Sequence, residues 1–81
     1  MSTFNHWLDK LIEEKEIDLE ESFQVNGPSG VNYMCYESVV VAMKTTSSRE
    51  QLLIQRKLVQ LDYVAADVKK YLRHLAQALA I

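Results

Sequence analysis

The clearest pattern in the chain is a run of apolar residues that recur at alternating steps of four and three in its C-terminal part. This 3.5-residue period lays one apolar stripe along a helix and is typical of helices that wrap around a partner. We therefore predict helices packing on helices, with the stripe acting as the seam of a homodimer. The predicted seam comprises Ile54, Leu58, Leu61, Ala65, Val68, Leu72, Leu75 and Leu79.

A second helical pattern lies at the start of the chain, where apolar residues recur with the i, i+3, i+4, i+7 spacing of a buried face. Thr3 can cap this helix, and we expect it to end near Lys15 or Glu16. The predicted buried face consists of Phe4, Trp7, Leu8, Leu11 and Ile12.

The period changes to two after Ile17, which indicates extended chain with every second side chain turned inward. Residues 26–30, Asn-Gly-Pro-Ser-Gly, form a strong turn signal. We predict a hairpin that pairs residues 22–26 with 31–34. Two strands alone are of marginal stability, so the hairpin must lie against the helices.

The segment 36–44 predicts a second, short helix, with a strand as the alternative because residues 39–41 are all valine. Ser47 and Ser48 each precede a Glu or Gln by three residues, so a third helix should begin at about residue 48. Between residues 62 and 67 the pattern allows one continuous helix to about residue 80, or a break followed by a final helix from about Asp67. We favour the break.

Together these patterns predict an α+β, mostly α fold in a single domain, residues 1–81: a helix, a short hairpin, then two or three helices. A chain of this length buries only about 60% of its unfolded surface, which favours association with a partner. Tyr63 lies off the seam and is a candidate for such an interface.

Charge is distributed unevenly along the chain. Residues 1–30 contain seven acidic and two basic residues, whereas residues 31–81 contain four acidic and seven basic ones. An acidic surface can dock on a basic partner. The candidate partner surface comprises Asp9, Glu13, Glu14, Glu16, Asp18, Glu20 and Glu21.

Little in the sequence predicts an enzyme. His6, His74 and Cys35 stand far apart, unlike the paired short spacings of zinc sites, and Cys35 has no obvious base. The turn at residues 27–30 lacks the Lys-Ser/Thr of a phosphate-binding loop. We expect no catalytic site, no metal and no cofactor. One cysteine, no signal-peptide pattern and no long apolar run predict a cytoplasmic protein that does not enter a membrane.

The alternative to a protein partner is DNA, because the second and third predicted helices have the layout of a helix-turn-helix. Polar residues at the start of the third helix could read bases, and basic residues could contact phosphate. The candidate contacts are Arg49, Gln51, Arg56, Lys57, Lys69, Lys70 and Arg73. Against this alternative, the sequence pI of about 5.6 is low for a nucleic-acid-binding domain.

We therefore expect a non-enzymatic interaction module or inhibitor that occludes the surface of another protein. Its small size and lack of motifs are typical of accessory proteins of phages or other mobile elements. The alternative expectation is a small helix-turn-helix regulator.

Overall fold

A computed structural model, which describes residues 3–61 and 64–79, contains four helices and one two-stranded hairpin in its described part. The elements are α1 (Thr3–Glu14), β1 (Ser22–Gly27), β2 (Gly30–Cys35), α2 (Tyr36–Thr45), α3 (Ser48–Gln60) and α4 (Ala65–Leu79). The predicted α+β, mostly α class is confirmed, as is the order of helix, hairpin and helices.

Helix α1 ends in a left-handed turn at Glu16, whose φ is 53°. The amide of Ile17 donates to the carbonyl of Ile12 (3.1 Å), and the amide of Glu16 donates to the carbonyl of Glu13 (3.1 Å). This pair of bonds is a Schellman motif, which usually places glycine where Glu16 stands. Ile12 and Ile17 are both buried, which adds the apolar contact that accompanies the motif.

Replacing Glu16 with glycine is expected to stabilise the fold, because the left-handed conformation costs a residue with a side chain about 1–2 kcal/mol. The larger entropy that glycine loses on folding offsets part of this gain, which leaves a net of about 0.5–1 kcal/mol. Urea denaturation followed by circular dichroism measures the difference. Glu14→Gly, inside α1, is the matched control and should destabilise by about as much; a loss of stability in Glu16→Gly would contradict the expectation.

The start of α1 differs from the prediction, because the helix begins at Thr3 and this residue lies within it instead of capping it. On the predicted buried face, Phe4, Leu8, Leu11 and Ile12 are buried, whereas Trp7 is half-buried. The helix thus presents the face that its periodicity predicted, with Trp7 at the edge of the core.

The hairpin pairs the two predicted segments, and its strands Ser22–Gly27 and Gly30–Cys35 are slightly longer than predicted. Phe23 lies opposite Met34 and Val25 opposite Asn32. Gly30 has a φ of 125°, which only glycine adopts readily, so the turn explains the glycine at this position. On the outer edge of β1, the side chain of Gln77 from α4 pairs with Asn26. Its amide donates to the Asn26 carbonyl and its oxygen accepts from the Asn26 amide (2.9 Å). Through these bonds α4 covers the edge of the sheet.

The three valines that allowed a strand at residues 39–43 lie in helix α2. Val39 and Val40 are buried whereas Val41 is exposed, which is the pattern of a helix face. Helix α3 begins after Ser47, whose hydroxyl accepts a hydrogen bond from the amide of Glu50 (3.2 Å). This is half of one predicted capping box.

The predicted break between the last two helices is confirmed, because α3 ends at Gln60 and α4 begins at Ala65. Asp62 and Tyr63, the second of them a predicted interface residue, lie outside the described residues. The chain folds back at this break, so that α4 packs against α2 and β1.

The fold-back changes the role of the predicted dimer seam. Four of its members are buried within this one chain: Ile54, Leu58, Val68 and Leu72. Leu61, Ala65 and Leu75 are half-buried, and the side chain of Leu79 is outside the described ones. The buried members belong to the same core as residues of α1, α2 and the hairpin. They are therefore not available on the surface to join two copies, and a homodimer would have to use other residues.

Candidate functional site

The predicted acidic surface lies on α1 and on the loop that follows it, and all seven of its carboxylates are exposed. Three of them have partners. Asp9 forms an ion pair with Lys44 of α2 (2.6 Å), and Glu21 forms one with Lys69 of α4 (2.7 Å). Asp18 accepts a hydrogen bond from the amide of Glu20 (2.9 Å), which shapes the loop. The ion pairs of Asp9 and Glu21 thus connect the acidic segment to α2 and α4.

The glutamates at the end of α1 lie beside Lys10 and Lys15. Glu13 and Glu14 occupy the last turn of the helix, and that turn contains no basic residue. Glu16 follows after Lys15. The C-terminus of a helix carries the negative end of its dipole, so acidic residues here are placed at the unfavourable end. With Lys10 and Lys15 among them, the three glutamates leave a net charge of −1 (−3 + 2) at this end of the helix.

Gln51, predicted as a base-reading residue, makes contacts within the protein. Its side-chain amide donates to the carbonyls of Met43 and Lys44, both at 3.1 Å. These carbonyls lie in the last turn of α2, where backbone acceptors lack helical partners. Gln51 therefore joins α3 to the end of α2 and, while it does so, is not free to read DNA bases.

Two other predicted nucleic-acid contacts converge on Tyr36, which is only 1% exposed. The guanidinium of Arg73 donates to the Tyr36 hydroxyl (2.8 Å). The ammonium of Lys69 lies 5.6 Å from the centre of the Tyr36 ring. The hydrogen bond from Lys69 to Glu21 raises the pKa of Lys69. Tyr36 therefore fixes the positions of both cations, a role that sequence spacing does not reveal.

Two other basic candidates, Arg49 and Arg56, are exposed on α3. Lys57 and Lys70 line an open groove of about 800 Å³ between α3, α4 and the hairpin, and Arg73 lines the same groove. We call this the basic groove.

Sequence reasoning missed further residues of the basic groove: Gln24, Tyr71, His74 and Gln77. Burial, followed by the charge of Glu50, raises the pKa of Tyr71. The available signal was spacing, since Lys70, Arg73, His74 and Gln77 are three or four residues apart and share one face of α4.

Cys35 precedes α2, and its thiol lies 3.4 Å from the Ser38 hydroxyl. The hydrogen bond with the Ser38 side chain, followed by one with the Ser38 backbone, lowers the pKa of Cys35. A nucleophilic cysteine also needs an adjacent base, and the groups that act on this thiol are serine and glutamate. Among the residues that the structure describes, no group of three or more His, Cys, Asp or Glu residues could hold a metal ion.

Of the helices in the described part of the chain, none has both the length and the apolar character needed to cross a membrane.

Comparison with known proteins identified no relative, since no family model, curated protein or solved structure matches the chain.

Proposed function

We propose that this protein is a non-enzymatic interaction module that docks its acidic surface on a basic surface of another protein and occludes it. The mechanism is charge and shape matching. Such a role would suit an accessory protein of a phage or other mobile element. The observation that supports the proposal is the corner formed by Glu13, Glu14 and Glu16, where charge is placed against the helix dipole.

Two unfavourable contributions to the free energy of folding occur together at Glu13, Glu14 and Glu16. Each acidic residue in the last turn of a helix costs about 0.3–1 kcal/mol through the dipole. Glu16 adds the penalty of a left-handed backbone conformation. Departures from local stability rules are expected where function requires particular residues. Stability alone would favour lysine at the first two positions and glycine at the third, so binding is the better explanation of three glutamates.

Reversing the exposed carboxylates is expected to abolish capture of a basic partner. We choose Glu13→Lys with Glu14→Lys, because neither residue forms an ion pair among those found in the described residues and lysine suits the end of a helix. The variant should fold at least as stably as the native chain. The measurement is capture from a lysate of the source cells by the immobilised protein, quantified against the native chain.

Glu50→Lys with Asp67→Lys is the control, since it changes the net charge equally at exposed positions on α3 and α4, outside the acidic surface. The proposal expects the control to retain the captured protein and the α1 variant to lose it. Equal capture by both variants would refute the acidic surface, and equal loss would show that net charge alone is responsible.

We also propose a homodimer that forms through the outer face of α3. Three large hydrophobic residues on this helix are exposed to solvent. The exposed fractions are 49% for Leu52, 52% for Leu53 and 49% for Val59. Val59 also borders a cleft of about 220 Å³ that Trp7, Lys10 and Glu14 of α1 line.

Leu52→Glu with Val59→Glu is expected to convert the dimer to a monomer, because burying a carboxylate in an apolar interface is unfavourable. Light scattering on a sizing column, across a dilution series, gives the mass. Val31→Glu with Val41→Glu alters two equally exposed residues elsewhere and should leave the dimer intact. A native chain that is monomeric at all concentrations would refute this interface.

The second candidate function is duplex DNA binding. It is favoured by the two-residue link at positions 46 and 47 between α2 and α3, and by the exposed side chains of Arg49 and Arg56 on α3. The duplex arm of the experiment below tests it.

A further inference from the structure

We propose that the basic groove binds single-stranded nucleic acid. This activity is separate from the acidic surface. It also differs from helix-turn-helix recognition, because the groove is a concave surface shared by α3, α4 and the hairpin. Three features of the groove favour this ligand: its positive charge, the hydrogen bond that holds its arginine, and the aromatic side chains beside it.

The charge of the groove is predominantly positive although the chain is acidic overall. Lys57 enters from α3, while Lys70, Arg73 and His74 enter from α4. Asp67 is the acidic residue among the lining side chains. From Lys70 to His74 the helix rises about 6 Å, so two neighbouring phosphates of one strand could contact the same face. A positively charged groove that follows the backbone is the first requirement for binding a single strand.

Arg73 is already oriented in the groove. It donates one hydrogen bond to the buried hydroxyl of Tyr36, and a guanidinium has five N–H donors. Four donors therefore remain for phosphate oxygens. Since the arginine is held before the ligand arrives, less side-chain freedom is lost on binding.

Aromatic side chains supply the second requirement, a surface on which bases stack. Tyr71 lines the groove directly. Tyr33 is directly opposite Gln24 in the hairpin, and Gln24 also lines the groove. Directly paired residues of an antiparallel hairpin project to the same face, so Tyr33 extends the groove across the hairpin. Tyr33 is 73% exposed, so its ring is accessible for stacking with a base.

These features favour a single strand over a duplex and over an acidic protein segment. Stacking on tyrosine requires unpaired bases, which a duplex does not present. An acidic peptide would use the cations but would leave both tyrosine rings without a stacking partner. Only a single strand satisfies both the charge of α4 and the exposed ring of Tyr33.

The test is fluorescence anisotropy with a fluorescein-labelled oligothymidylate of about 16 nucleotides, titrated with the native chain at low salt. We expect binding that weakens as salt rises, because bound cations release counterions. Lys57→Glu with Lys70→Glu should weaken binding by at least about tenfold. Tyr33→Ala should weaken it by at least about fivefold through loss of stacking.

The matched control is Arg49→Glu with Arg56→Glu, which makes the same charge change at exposed positions on α3 outside the groove. It should retain oligothymidylate binding, and circular dichroism should show that every variant is folded. Equal weakening by both charge pairs, or no binding at low salt, would overturn the proposal. Two further results would also overturn it: tighter binding of a duplex that depends on Arg49 and Arg56, or displacement of the oligonucleotide by polyglutamate at equal charge.

Discussion

Leu72→Ala is expected to destabilise the protein by about 2–5 kcal/mol, which is a large part of the stability of a small domain. Leu72 is 0% exposed and lies in the core that α4 shares with the rest of the chain. Removing its side chain leaves a cavity that a close-packed core fills only partly. Urea denaturation followed by circular dichroism measures the loss.

Leu75→Ala is the matched control, because Leu75 belongs to the same heptad seam and the same helix but is only half-buried. Its loss should be clearly smaller. Light scattering should show that the folded Leu72 variant keeps the native mass. A small change in stability together with a lower mass would mean that Leu72 joins two copies, as the heptad spacing alone predicted.

The seam shows which features of the fold the spacing of apolar residues predicts and which it does not. The spacing of four and three correctly predicted helices with one apolar face, and the favoured break between the last two helices was also correct. Periodicity does not specify what covers the apolar face, because a partner helix and a helix of the same chain bury the same stripe. The deciding feature was the packing of α4 against α2 and β1 of the same chain, although the sequence between Leu61 and Ala65 contains neither glycine nor proline. Leu61 already has an extended backbone, with ψ at 132°.

The candidate site was predictable to a similar extent. Exposure of the acidic segment followed from its charge, but the pairing of Asp9 with Lys44 joins residues 35 positions apart. Such pairs depend on tertiary structure. Gln51 shows the same limit, since its spacing from Ser48 predicted a capping box at the start of α3. In the structure its amide caps the end of α2.

Tyr36→Ala is expected to destabilise the protein by about 3–5 kcal/mol, as large aromatic-to-alanine changes in cores do. The Tyr36 ring lies 4.7 Å from that of Phe23, at a tilt of 42°. It also lies beneath the ammonium of Lys69, a cation–π contact worth about 0.5–1 kcal/mol at exposed sites. Urea denaturation measures the loss, and Tyr33→Ala, on the exposed face of the hairpin, should change stability by less than about 0.5 kcal/mol.

Tyr36→Phe separates the ring from the hydroxyl. It keeps the core packing and removes only the hydrogen bond from Arg73, which is exposed and can bind water instead. The expected loss is therefore about 0.5–1.5 kcal/mol. If the phenylalanine variant lost as much stability as the alanine variant, the bond to Arg73 would outweigh the packing of the ring. The expected order, with alanine far below phenylalanine, means that Tyr36 stabilises the fold through its ring and uses its hydroxyl mainly to hold Arg73 in the basic groove.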